Sequence, residues 1–303
     1  MNIQKDLSKI EKKTVIALGL FDGMHRGHQE VLGTAKKIAD QKGLDFSVLT
    51  FTMLNDSPEK KRGQKQILSN SIKMKFYENI GIVNVIMPDF DDIKEYEYKE
   101  FVQDILISRL NASEIVCGYD FCFGKNAKGN AQTLTQIANE NNVNVTTVPA
   151  RLDDNEPISS TRIRALLAQG NIQKANSLLG FPYYFDFEPE QGEKIGTMIE
   201  SPTINQQFPS GFAVPKFGVY RSYTDIGGKR FLSITNIGVK PTIPGERNPL
   251  AETHIIGVDS VPNDGKIIVS LSDFLRPEQK FESIEELKKQ IKKDIENAKS
   301  IAK

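Results

Sequence analysis

Ala17-Leu18-Gly19-Leu20-Phe21-Asp22-Gly23-Met24-His25-Arg26-Gly27-His28 joins two patterns of different period. Before it runs an apolar stretch, Thr14 to Phe21, long enough for a buried strand. After it, Gln29 to Lys42 repeats with Val31, Leu32, Ala35, Ile38 and Ala39 on one helical face. The turn between them carries Gly19, Gly23 and Gly27, residues that let a backbone turn sharply and a ligand come close. A helix start after such a turn presents unpaired N–H groups and a positive dipole end to an anion. His25 and His28 stand at that start, where they could donate hydrogen bonds to phosphoryl oxygens. Zinc is the rival reading, but it needs more ligands, and the third histidine, His254, is far along the chain. No Gly-Lys-Ser/Thr closes the turn, so it is not a Walker A loop.

The alternation continues outward. Apolar runs recur at 46–51, 83–87, 115–117 and 143–148, and helical patterns fall between them at 71–80, 99–110 and 132–141. This order predicts an α/β domain with a parallel sheet. Ligands of such sheets bind beyond the carboxyl ends of the strands, where the Asp22–His28 turn sits. Asp120, in the turn after the 115–117 strand, is placed to cap that turn.

Ser159 or Ser160 caps a helix with Ile163, Leu166 and Leu167 on its buried face. Arg162 and Arg164 fall in its first turns, the wrong end for the helix dipole unless an anion shares the site. Composition changes after Pro182. From Tyr183 to Leu275, short strand candidates separated by Gly, Pro and Asn turns predict a small antiparallel β-barrel, with strands at 217–223, 229–234 and 266–271 and a hairpin loop at 225–228. Ser283 and Glu286 form a capping box for a terminal helix whose apolar face is Ile284, Leu287, Ile291 and Ile295. The domains are therefore expected at 1–182 and 183–303.

With 39% apolar and 26% charged residues the chain reads as a soluble globular protein. Its 39 basic and 39 acidic residues balance, which gives no argument for nucleic acid. The basic cluster Lys60, Lys61, Arg62 and Lys65 reads as a solvated loop. No apolar run approaches a membrane span, no signal-peptide pattern precedes Thr14, and Cys117 and Cys122 fit a reducing compartment, so a cytoplasmic protein is expected.

Gly-x-Phe-Asp-Gly-x-His-x-Gly-His, starting at Gly19, resembles the signature of the bacterial bifunctional riboflavin kinase/FAD synthetases, and its His-x-Gly-His core is shared more widely by nucleotidylyltransferases. Gly118-Tyr-Asp-Phe-Cys-Phe-Gly124 and Ser159-Ser-Thr-Arg-Ile-Arg164 are similar to two further motifs of that family, and Ser201-Pro-Thr-Ile-Asn205, Asn236-Ile-Gly238, Pro241-Thr242, Ala251-Glu-Thr-His254 and Phe274-Leu-Arg-Pro-Glu-Gln-Lys-Phe281 follow in the family's order. The resemblance covers nearly the whole chain. It implies a Rossmann-like nucleotidylyltransferase domain followed by a riboflavin kinase barrel. The expected substrates are riboflavin, FMN and ATP, with Mg²⁺ accompanying ATP and with no nucleic acid or membrane partner.

By the same resemblance, His25 and His28 would act in adenylyl transfer. Gly19, Phe21, Asp22, Gly23, Gly27, Ser160, Thr161 and Arg164 would bind ATP. Asp120, Phe123, Asn236 and Arg276 would line the flavin–nucleotide cleft. Thr203 and Asn205, two apart in a strand and so on one face, would hold Mg²⁺. Glu252 matches the family's catalytic glutamate and is a suitable base for a hydroxyl.

The chain also departs from the pattern. Thr197, Glu200 and Ser201 replace an arginine, a glycine and an aromatic before Pro-Thr; Cys122 stands where arginine is common; and Thr50-Phe-Thr-Met-Leu-Asn-Asp-Ser57 replaces a Pro-His-Pro-like stretch. A glutamate beside polyphosphate is unfavourable. The alternatives are thus a single-function FAD synthetase with a degenerate, flavin-holding kinase domain, another cytidylyl- or adenylyltransferase, or a flavin-binding regulator.

Overall fold

The computed structural model describes residues 1–51, 64–190, 203–239, 248–258 and 266–301. Residues 52–63, with most of the basic cluster and the altered stretch after Phe51, lie outside the described residues. So do 191–202, with Thr197, Glu200 and Ser201, and 240–247, with Pro241 and Thr242. The chain packs as two units, Met1–Gln66 with Asn70–Ser160, and Ile67–Ser69 with Thr161–Lys303.

The first unit is built on β1 (Asn2–Gln4), β2 (Thr14–Leu18), α1 (Arg26–Lys42), β3 (Asp45–Leu49), α2 (Asn70–Asn79), β4 (Asn84–Ile86), β5 (Ala112–Gly118), α3 (Ala131–Glu140) and β6 (Asn144–Val148). The strands pair in parallel in the order β1-β4-β3-β2-β5-β6. All five residues of β2 are buried, as its unbroken apolar run requires of a central parallel strand. Its neighbours are β3 on one side and β5 on the other, so the chain leaves β2 at the point where strand order reverses.

Two elements differ from their expected form. The Lys99–Leu110 helix is a π-helix over Phe101–Arg109, seen in the Leu110 N–H donating to the Ile105 carbonyl. The wider turn suits apolar residues at 101, 105, 106 and 110, all of which reach the core against Ile115, Cys117, Leu134 and Ile137. The polar segment Asn2–Gln4 is a strand that no apolar pattern marked; at the sheet edge it needs only β4 beside it.

The second unit opens with helices α4 (Ser160–Gln169) and α5 (Ile172–Leu179). Strands β7 (Tyr184–Phe185), β8 (Pro189–Glu190), β9 (Thr203–Gln207), β10 (Gly218–Ile226), β11 (Lys229–Gly238), β12 (Leu250–Ile255) and β13 (Ile268–Arg276) follow, then α6 (Ile284–Ser300). The strands form a curled antiparallel sheet in the order β7-β13-β10-β11-β12-β9-β8. Gly227 and Gly228, at φ 54° and 73°, make the two-residue turn between β10 and β11. One face of the sheet buries an unusual row of hydroxyls: Ser222 bonds Ser233 and Thr235, and Thr235 bonds Thr253, at 2.8–3.0 Å. A hydroxyl can donate or accept, so each of these buried groups finds a partner within the row. The opposite face carries Val219 and Ile234, packed against Ile291, Ile295 and Ala298 of α6. Arg276 ties the helix down with a forked pair to Asp294, which is 2% exposed, at 2.7 Å.

Candidate active site

The turn after β2 is held in a conformation few side chains adopt. Phe21 and Met24 have φ of 50° and 45°, and both are buried. The Phe21 ring folds back over the backbone, so that a Cβ at Gly19 would lie 2.9 Å from it; glycine is required there. His25 is the N-cap of α1, and its Nδ1 accepts the His28 backbone N–H at 3.3 Å. Nδ1 being the acceptor, the neutral ring carries its proton on Nε2, the donor a phosphoryl oxygen needs. The two imidazoles stack at 3.6 Å, and His28 meets the Phe21 ring edge-on at 5.5 Å. The helix thus begins at Arg26, three residues before its apolar pattern, directly after the His25 cap. The expected pair of histidines, Gly19, Phe21, Asp22, Gly23 and Gly27 do form one constellation.

Ser160 joins it. Its hydroxyl donates to the Asp22 carbonyl at 2.8 Å, although 138 residues separate them. Thr161 is exposed and Arg164 half-buried on α4, which has no acidic residue in its first turn. From Thr161 onward this helix packs with the second unit. Asp120 is exposed in the turn closed by Phe121 N–H to Gly118 O. Phe123 is a core residue, packed on Phe101 at 5.4 Å and stacked on the half-buried Phe121 at 5.6 Å.

The second constellation lies across three strands. Asn205 of β9 is directly opposite Glu252 of β12, and Glu252 is opposite Asn236 of β11; Thr203 stands opposite His254. Register puts Asn205, Glu252 and Asn236 in one row on one face. Asn205 is 6% exposed, and its Oδ1 has no hydrogen-bond partner among the described residues. A buried acceptor of this kind is unfavourable unless something else supplies its partner. Arg276, expected in the same cleft, directs its guanidinium to Asp294 and over the Phe281 ring.

Two participants escaped the sequence reading. Glu278 follows β13, and its carboxylate lies in the space a side chain at position 238 would take, against the Gly238 backbone. Burial pushes its pKa up; a hydrogen bond with Asn236 offsets part of this, and the charge of Glu252 adds to it. Lys73 of α2 lies fully buried near the turn after β2. Its signal was present: it stands four residues before Tyr77, on the apolar face of its helix. An open depression of about 530 Å³ elsewhere in the second unit, lined by Gln169, Gln173, Asp273 and Ile301, contains none of the expected site residues.

A family model described as FAD synthetase matches residues 7–162, and one described as riboflavin kinase matches residues 179–302. The bifunctional riboflavin kinase/FMN adenylyltransferase of Bacillus subtilis is 33% identical over 296 residues, 95% of this chain and 92% of the relative. The protein of the same description from Listeria monocytogenes is 30% identical over 292 residues, 94% of this chain and 91% of the relative. A solved structure from Streptococcus pneumoniae, described as a macrolide-efflux protein, is 27% identical with a TM-score of 0.86 and covers 99% of both chains. Among the described residues, no helix is long and apolar enough to cross a membrane.

Proposed function

The chain belongs to the family of bifunctional riboflavin kinase/FMN adenylyltransferases, enzymes that phosphorylate riboflavin and adenylylate FMN, and from that premise we propose how its residues divide the two reactions. Adenylyl transfer belongs to residues 1–182 and riboflavin phosphorylation to 183–303. The functional division does not follow the packing units, since α4 and α5 pack with the sheet of the second unit. The observation that carries the reading is the stacked His25–His28 pair at the N-cap of α1, beyond the central strand of a parallel sheet.

In adenylyl transfer the phosphate of FMN attacks the α-phosphorus of ATP and pyrophosphate leaves. No covalent enzyme intermediate is required, so catalysis is positioning and charge stabilisation. His25 Nε2 and His28 donate to the oxygens where charge accumulates. The glycine turn gives the phosphates access to backbone N–H groups, while Ser160, Thr161 and Arg164 hold the β- and γ-phosphates. Asp120 and Phe123 frame the flavin side, Phe123 from the core beneath.

In the kinase reaction Glu252 takes the proton of the terminal ribityl hydroxyl as its oxygen attacks the γ-phosphorus. Asn236 and Glu278 fix the neighbouring strand end, and Arg276 anchors the segment that carries Glu278. Mg²⁺ fits the donors present: the buried Asn205 Oδ1 is a hard oxygen acceptor without a partner among the described residues, and Thr203 adds a hydroxyl on the same face. Bound with ATP, the ion would neutralise phosphate charge as the γ-phosphoryl group transfers. The expected location is the cytoplasm, where ATP and Mg²⁺ are available.

Incubation of the full chain with riboflavin, ATP and Mg²⁺, followed by separation of the flavins, tests this. FMN should form first and FAD after it, and a chelator should stop FMN formation. FAD from supplied FMN with no FMN from riboflavin would instead support a barrel that only holds flavin, with Glu200 in its altered loop as the reason.

A further inference from the structure

Lys73 has no role in either reaction as described, yet it is the one lysine among the described residues that is completely buried. Burying an ammonium is unfavourable unless it is paired and hydrogen-bonded. Two of its three partners, the Leu20 carbonyl and the Asp22 carboxylate, belong to the adenylyl-transfer turn. The Nζ donates to the carbonyl of Leu20 at 3.5 Å, directly before the strained Phe21. It donates also to the carbonyl of Phe51, just beyond β3, at 3.4 Å. The Leu20 carbonyl takes a second bond, from the Thr50 hydroxyl at 3.2 Å, so β2, β3 and α2 meet on this one group. The Asp22 carboxylate, 1% exposed in the same turn, attracts the ammonium.

We infer that Lys73 is a positioning residue for FMN adenylylation, whose positive charge holds the Leu20–Met24 turn in its strained form beneath the phosphates. The inference rests on the assignment of adenylyl transfer to the His25–His28 site. A backbone held at positive φ in two non-glycine residues persists only where its surroundings over-determine it, and Lys73 supplies one bond to the turn, a second that ties it to the end of β3, and a counter-charge to Asp22. The charge has a second consequence. Burial drives the Lys73 pKa down to about 8, with Asp22 pulling it part of the way back. Among the described residues, the other titratable groups near this space are Tyr77 on the same helix, kept neutral by burial, and His28, whose ring meets the Phe21 ring that in turn meets Tyr77. Mildly alkaline solution should therefore discharge Lys73 and release the turn.

The test uses the bifunctional chain, whose FMN formation reports on folding and on ATP while FAD formation reads the site. Wild-type kcat for FAD formation should fall with an apparent pKa about 8 relative to FMN formation measured alongside. Lys73→Met should lower kcat for FAD formation on the order of tenfold to a hundredfold, the scale of a displaced reacting group. In the variant that alkaline limb should vanish while FMN formation stays normal. Unchanged kcat in Lys73→Met overturns the inference. If the variant loses both activities by misfolding, the wild-type profile decides, and absence of the alkaline limb overturns the inference equally. His28→Ala run in parallel separates the two levels. Should it retain FAD formation, the site assignment itself falls; should it lose FAD formation while Lys73→Met does not, only the role of Lys73 falls.

Discussion

Replacing His28 with alanine should reduce FAD formation from FMN and ATP by on the order of a hundredfold or more, the usual loss when one donor to developing charge is removed. FMN formation from riboflavin should continue. The structure makes this a clean experiment. The capping contact runs from the His28 backbone N–H to His25 Nδ1, and alanine keeps that N–H. Helix α1 therefore retains its N-cap, and the substitution removes a ring stacked on His25 and edge-on to Phe21. Initial rates with separated flavin products measure it, and FAD formation near the wild-type rate would remove His28 from the chemistry.

Glu252→Gln should have a comparable effect on the other reaction. A positioned general base contributes about 10²–10⁴-fold, so FMN formation should fall by that order. FAD formation from supplied FMN should survive. Glutamine has the shape of glutamate, and Glu252 sits in the middle of β12 between β9 and β11, so the register has no reason to change. The variant should also be no less stable. Glu278 has its pKa raised in the fold, by burial first and by Glu252 as a further cause. A carboxyl with a raised pKa binds its proton more readily when folded, so its contribution to stability is present at low pH and is lost as pH rises through the raised value. Removing the Glu252 charge lessens that loss at neutral pH. Thermal unfolding of both proteins above the carboxylate range checks the sign, and a markedly less stable Gln variant would show that Glu252 is chiefly structural.

Much of this was legible in the residues. Two hydrophobic periods separated by a glycine turn located β2, α1 and the switch point between them, because burial imposes period and apolar runs report burial directly. The row Asn205–Glu252–Asn236 was foreseen as separate motifs but not as a row, since register between β9, β11 and β12 is a property of pairing across the sheet. The helical pattern at 99–110 is legible, but its π form over Phe101–Arg109 is not, because apolar spacings of four and five fit both helix types. Arg276 was read as a cleft residue, while the Asp294 that engages it lies on the terminal helix, 18 residues on. Lys73 stands on an apolar helix face, a signal masked by the usual solvation of lysine, and its burial is explained by the Leu20 and Phe51 carbonyls together with the Asp22 carboxylate.

The central claim is that one chain carries two separable sites, one that makes FMN and one that adenylylates it. Mixing the His28→Ala and Glu252→Gln variants with riboflavin, ATP and Mg²⁺ tests it most directly. The first variant makes FMN and the second adenylylates it, so FAD should accumulate in the mixture and in neither variant alone. A mixture in which both proteins are folded and no FAD appears would contradict the account.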